Sequence, residues 1–376
     1  MTHSRSSSAA GHTAHSQPPP PATPAALVAL SARLGADRLL VQGGGGNTSY
    51  KSNNDFWVKA SGTWLAQAET QDIFVHLPLD DVRGAMASDA PESALLALVA
   101  AGGPRASIET SLHALMPQAV VLHVHSVNTI AVAARADAPS LLNERLQGLA
   151  WAWVPYRRPG LPLTDAIRET LAKAATAPDI LILGNHGLVV AGNDCMSAEA
   201  LLHQVEARLA LPARTLSPPD LNRLHAVNDA GWRIADRDLI HALATDTVAR
   251  AVALHGALYP DHVVFLGERA FALPDAASDP IAARSLQAAL QAASARGLPE
   301  PGYAIVERAG VLVSPSLSSG ADAMLGCLAE VGLRLRHDDP LRYLGIDDVA
   351  ALMGWEAEAY RRARDRAPAR SDADFY

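Results

Sequence analysis

Glu109, His123, His125 and His186 have the residue types and spacing of a metal-assisted catalytic centre. His123 and His125 stand two apart in the apolar run Val120-Val121-Leu122-His123-Val124-His125. Side chains two apart on a strand share a face, so both imidazoles aim at one spot. His186 lies in Leu181-Ile182-Leu183-Gly184-Asn185-His186-Gly187-Leu188-Val189-Val190, which reads as strand, tight turn and strand. Gly187 is the expected left-handed position of that turn. Three imidazoles from two segments are enough to hold one zinc ion and leave a fourth position open. Each histidine also has a plainer reading, as a satisfied core residue or a solvated turn residue. Glu109 and His113 are four apart and share one side of a helix expected to be capped by Ser107, with Ile108, Leu112, Leu115 and Met116 inward. A carboxylate beside a metal serves as a ligand, or as the base that takes a proton from a carbon next to a carbonyl. At a helix start it also serves simply to offset the helix dipole.

Other candidates bear on binding. Gly43-Gly44-Gly45-Gly46-Asn47-Thr48-Ser49 is a loop whose exposed N–H groups suit an anion. It matches neither a dinucleotide nor a Walker pattern, and a flexible turn explains it equally. Ser61-Gly62 and Ser107 place hydroxyls at element boundaries. Arg105, Arg157 and Arg158 are anion partners or solvated surface, and no spacing selects Tyr156, Tyr360 or Tyr376 as a proton donor.

The elements that must hold these residues follow from periodicity. Leu27, Leu30 and Leu34 predict a helix stopped by Gly35, and strands are expected at 39–41, 56–60, 73–77, 119–124 and 151–154. Helices are expected at 92–101, 128–135, 165–175 and 197–211. Beyond the break at Thr215 come a helical stretch (238–258), a strand (262–266), a further helix, a hairpin (303–313) and two closing helices. This mixed order predicts α+β or three-layer α/β/α architecture with a largely antiparallel sheet. Residues 1–24, rich in Ser, His and Pro, predict a disordered tail without a secretory h-region. A 376-residue chain with net charge -8 and scattered basic residues excludes a nucleic-acid surface. Two cysteines give neither a disulfide framework nor metal spacing, and no apolar run is long enough to span a membrane. A soluble cytoplasmic protein is the expectation.

Five segments, Gly-Gly-Asn-Thr-Ser (45–49), Lys-Ala-Ser-Gly (59–62), Ser-Ile-Glu-Thr-Ser-Leu-His (107–113), His-Val-His-Ser (123–126) and Asn-His-Gly-Leu-Val-Val-Ala-Gly (185–192), stand in the order of the class II aldolase/adducin family, which this chain resembles. With Pro260-Asp261-His262 and the stretch around Gly354-Trp355-Glu356, it is most similar to the aldolase half of bifunctional rhamnulose-1-phosphate aldolase/alcohol dehydrogenase proteins. No Rossmann fingerprint follows, so hydride transfer is not carried over. The resemblance implies a three-layer α/β/α fold around a mainly antiparallel sheet for 25–214, with 215–376 an α/β extension packed on it. It implies a homotetramer with sites at subunit interfaces, zinc held by His123, His125 and His186, and Glu109 as catalytic carboxylate. Asn47, Ser61, Gly62 and Ser107 match its phosphate-binding positions, although Ile108 stands where sugar-phosphate aldolases often have a second hydroxyl. The implied activity is retro-aldol cleavage of a ketose 1-phosphate or related sugar through a metal-stabilised enediolate. Pentulose-phosphate 4-epimerases and keto-acid sugar decarboxylases share the scaffold, as do adducin-like proteins that bind partners without catalysis.

Overall fold

The computed structural model describes residues 21–100, 104–274 and 277–366. Most of the predicted N-terminal tail, and Tyr376, lie outside them. Among these residues, seven strands form the central sheet: β1 (Asn47–Ser52), β2 (Asp55–Lys59), β3 (Phe74–Pro78), β4 (Val120–Val124), β5 (Trp151–Val154), β6 (Ile180–Leu183) and β7 (Gly187–Gly192), in the order β3-β2-β1-β4-β7-β6-β5. Every neighbouring pair is antiparallel except β5 and β6. The expected mainly antiparallel sheet is therefore present.

Alternation along the strands builds the layers. Leu122, Val124, Ile182 and Val190 pack on one face with Leu27, Leu30 and Leu34 of helix Ala25–Ala36 and with Leu202 and Val205 of helix Cys195–Leu209. Val121, Leu181 and Val189 meet Leu112, Leu163 and Ile167 from helices Thr110–Leu115 and Leu161–Lys173 on the other. Burial on both faces explains why these strands read as nearly unbroken apolar runs.

The remaining described residues carry a four-stranded sheet of β8 (Arg233–Ile234), β9 (Phe271–Ala272), β10 (Tyr303–Val306) and β11 (Gly310–Val313), in the order β8-β11-β10-β9. Helix Ser319–Arg334 lies between the sheets. Its Met324, Leu325 and Leu328 share one apolar cluster with Val127, Ile130 and Ala131 of helix Val127–Ala133 and with Ile305 and Val311. No helix among the described residues is long and apolar enough to cross a membrane.

Several local expectations are corrected. Residues 38–40 form a turn where a strand was expected at 39–41, and β1 starts within the supposed glycine loop, at Asn47. Gly35 lies inside its helix, where a Cβ would strike the backbone of Ala66 at 2.1 Å. Helix Thr110–Leu115 begins after Glu109, so Ser107 precedes the cap position, and Ile108 is only half-buried. The stretch 238–258 is broken into short helices, and three helices follow the hairpin instead of two. Residues 262–266 belong to a helix, Pro260–Leu266, with proline in its first turn and Asp261 beside it. Its Val-Val-Phe run carries β-propensity, which the proline start and tertiary packing override.

Candidate metal centre

Antiparallel pairing brings the start of β1, the end of β4 and the start of β7 to one end of the sheet. Asn47 is paired with His123, and His123 with Val189, so Asn47 and His123 point to the same side. His125 continues that side two residues on, and His186 comes from the turn joining β6 to β7. One nitrogen from each of His123, His125 and His186 lies within 4.8 Å of the others, and all three rings are buried.

The turn works differently from the sequence expectation. Asn185, at φ 48°, takes the left-handed position, and Gly187 does not. Asn185 tolerates that conformation, and its amide donates to the carbonyls of Leu258 and Arg342. Glycine at 187 answers a close approach instead: a Cβ would lie 2.7 Å from the Val124 carbonyl and 3.3 Å from the His123 ring.

Hydrogen bonds fix where the lone pairs point. His123 Nδ1 donates to the Leu188 carbonyl at 3.1 Å, so the neutral ring presents an unprotonated Nε2. That atom lies 3.2 Å from His125 Nε2 and 3.3 Å from Glu109 Oε2. Glu109 Oε1 reaches to 3.5 Å from His186 Nε2 and has no hydrogen-bond partner among the described residues. Nitrogens bound tetrahedrally to zinc at 2.0–2.1 Å stand about 3.3 Å apart. Electron-rich atoms gathered this closely suit a cation among them, so the donor set fits a divalent metal.

Charge states agree. Burial lowers the pKa of His123, with Glu109 opposing, and takes His186 down to about 3 against the same carboxylate. Neutral imidazole is the ligating form. Burial alone would raise Glu109, but His123, then His186 and His125, outweigh it and hold its pKa at about 2. Behind it runs an ordered relay: His113 Nδ1 meets the Ser49 hydroxyl at 2.7 Å, His113 Nε2 donates to Asn47 Oδ1, and Asn47 Nδ2 donates to Glu109 Oε2 at 2.8 Å.

A narrow cleft opens onto this centre. Asn47, Ser61, Gly62, Ser107, Glu109, His125 and His186 line it, and His123 stands behind His125. The Asn47 amide is already engaged at both ends, while Ser107 Oγ accepts from the Glu109 N–H. Three further lining residues had no assigned role from sequence: Lys59, Asp261 and Arg361. Lys59 is buried and donates to the carbonyls of Gly44 and Thr63. Desolvation, then Arg361, lowers its pKa to about 7. Its place in Lys-Ala-Ser-Gly was the available signal, as Pro260-Asp261-His262 was for Asp261; Arg361 joins them only through the fold. Arg105 and Arg158 turn away to pair with Glu356 and Glu92 and to cover Tyr360 and Trp355, and Arg157 bonds the Tyr156 carbonyl. Tyr156 and Tyr360 do not line the cleft.

Residues 25–211 match the class II aldolase and adducin N-terminal domain, and through them the chain belongs to that family. A curated relative, the uncharacterized oxidoreductase YuxG of Bacillus subtilis (strain 168), is 36% identical over 181 residues, 44% of this chain and 26% of its own length. The chain thus spans about a quarter of that relative. Similar solved structures include the N-terminal class II aldolase domain of a conserved protein from Thermoplasma acidophilum, 23% identical over 53% of this chain and 98% of that one, TM-score 0.43. Another is L-fuculose-1-phosphate aldolase from Thermus thermophilus, 17% identical over 49% and 92%, TM-score 0.33.

Proposed function

We propose that this protein is a zinc-dependent class II aldolase that cleaves a ketose 1-phosphate or related sugar by retro-aldol chemistry. The observation that carries the reading is the convergence of His123, His125 and His186 on a buried carboxylate, Glu109. Zinc held by the three histidines would supply a Lewis acid for the substrate carbonyl and its neighbouring hydroxyl. Glu109 is ionised at neutral pH, and its partner-free Oε1 is the atom available to take or return a proton on the substrate carbon. Asn47 and His113 hold that carboxylate in one orientation. Asn47, Ser61, Gly62 and Ser107 contribute to binding the substrate's anionic end, with Lys59 beside them.

The test is aldehyde release from a panel of ketose 1-phosphates, with metal content read by elemental analysis. Glu109→Gln is expected to keep the metal and lose roughly 100-fold or more in turnover. His186→Ala is expected to lose metal. Full turnover in the first variant, or unchanged zinc in the second, would remove the assignment. Epimerised product without free aldehyde would point to epimerase chemistry instead.

A further inference from the structure

We propose that Asp261, contributed by the segment beyond residue 214, is a positioning residue for the second histidine of the centre, His125. The inference rests on the metal reading above and adds to it the group that orients one ligand. Asp261 Oδ2 lies 3.2 Å from His125 Nδ1, off the direct line of the ring N–H, and both side chains are buried. An acceptor facing Nδ1 favours the tautomer with its lone pair on Nε2, the atom that faces His123 Nε2. His123 is treated in the same way by the Leu188 carbonyl. One histidine thus has its support from the sheet backbone, and the other from a side chain far along the chain.

The carboxylate is itself held. Arg361, on helix Glu356–Arg366, donates from Nη1 to Asp261 Oδ1 at 2.9 Å and from Nη2 to Oδ2 at 3.1 Å, a two-pronged grip that fixes the plane of the carboxylate. The same guanidinium bonds both oxygens of buried Glu358 at 3.1 and 2.9 Å. The Tyr259 ring stands edge-on to His125 with centroids 5.2 Å apart. Gly45 closes the other side. A Cβ there would lie 2.8 Å from Asp261 Oδ2 and 2.8 Å from His125 Nδ1, so any larger residue would wedge into the contact. That gives the glycine run a role at one position: the loop crosses directly over the Asp261–His125 pair.

Two variants probe this contact from opposite sides, and a third separates it from general loosening. The probe is zinc ion, its dissociation constant measured on the full-length protein by chelator competition, with cobalt(II) absorption bands as a second readout. Wild type taking up no metal would overturn the metal reading, and this inference with it. Given wild-type binding, Asp261→Asn removes the anionic partner, and Gly45→Ala separates the pair while leaving both side chains in place. Each is expected to weaken zinc binding roughly 10- to 100-fold and to change the cobalt spectrum. Glu358→Gln perturbs the same buried arginine without touching His125, and should lower thermal stability while leaving zinc affinity within about twofold, a separation that supports direct positioning. Wild-type affinity in Gly45→Ala and in folded Asp261→Asn would overturn the proposal. So would a loss in Glu358→Gln as large as that in Asp261→Asn. If Asp261→Asn does not fold, Gly45→Ala and Glu358→Gln decide the matter.

Discussion

His113 shows how a residue outside the three-histidine cluster can still set the state of the centre. Its Nε2 faces an amide oxygen, which only accepts, so that nitrogen must carry a proton. The neutral ring then accepts a hydrogen bond from the Ser49 hydroxyl at Nδ1, and every bond in the relay to Glu109 has a direction. Burial, followed by His123, lowers the pKa of His113 to about 3. An unfolded chain has this histidine near its ordinary value of about 6.5, so it binds the proton first as pH falls. The stability contributed by a neutral His113 is therefore complete above about pH 6.5 and is lost progressively as pH drops toward the folded value. The other site histidines with lowered values slope the same way, so the informative quantity is a difference between variants. In metal-free protein, His113→Gln should lose less stability than wild type between pH 6 and pH 5, by about 1 kcal/mol. It should also be less stable at pH 7, by roughly 1–3 kcal/mol, through its broken buried hydrogen bonds. Urea unfolding at the three pH values measures both. Parallel pH slopes would show that His113 titrates alike in the folded and unfolded chain.

The elements themselves were unevenly legible. β4, β6 and β7 were readable because burial on both faces leaves Val, Ile, Leu, Ala and Gly, with His123 the one polar side chain. β1 was not, since its first residues are Asn47, Thr48 and Ser49: Asn47 and Ser49 serve the Glu109 relay, while Thr48 bonds Ser31 of the first helix from the opposite face. A strand whose buried side chains are polar for the sake of a site has no hydrophobic period to find. In the β6–β7 turn the residue types pointed to a tight hairpin, but whether a glycine answers to φ or to a neighbour is decided across strands. Gly187 answers to β4, and Gly187→Ala would drive its methyl against the Val124 carbonyl between His123 and His125. The expected cost is about 1–3 kcal/mol of stability, with weaker zinc binding because β4 and β7 must move apart. Denaturant unfolding and chelator competition measure the two effects. A variant with wild-type values for both would show that the strands absorb the methyl without moving the ligands.

At the scale of the whole molecule, the five motifs locate the three histidines and the carboxylate, whereas the contacts that support them join segments far apart in the chain. Asn185 bonds the carbonyls of Leu258 and Arg342, Asp261 meets His125, and Lys59 and Arg361 share the cleft. Sequence spacing carries no information about such meetings, because they depend on how two sheets are brought together. They are brought together by burial: Val127, Ile130, Ala131 and Ala134, immediately beyond the histidine strand, lie in one cluster with Leu258, Tyr259, Met324 and Leu328. Helix Val127–Ala133 therefore belongs to two layers at once, with Val132 and Ala133 in the cluster beside helix Ala25–Ala36. A chain ending at residue 214 would keep all seven strands of the larger sheet but expose that apolar face and lose the partners of Asn185 and His125. Exposed clusters of this kind lead to loose packing and association. Such a chain is expected to bind a hydrophobic dye, to unfold without a sharp transition, and to hold zinc at least 10-fold more weakly than the full protein, as roughly follows from losing an orienting carboxylate alone. Dye fluorescence, calorimetry and chelator competition test the three parts. Cooperative unfolding with full zinc affinity would show instead that residues 25–214 hold their own site and that the later segment serves a separate purpose.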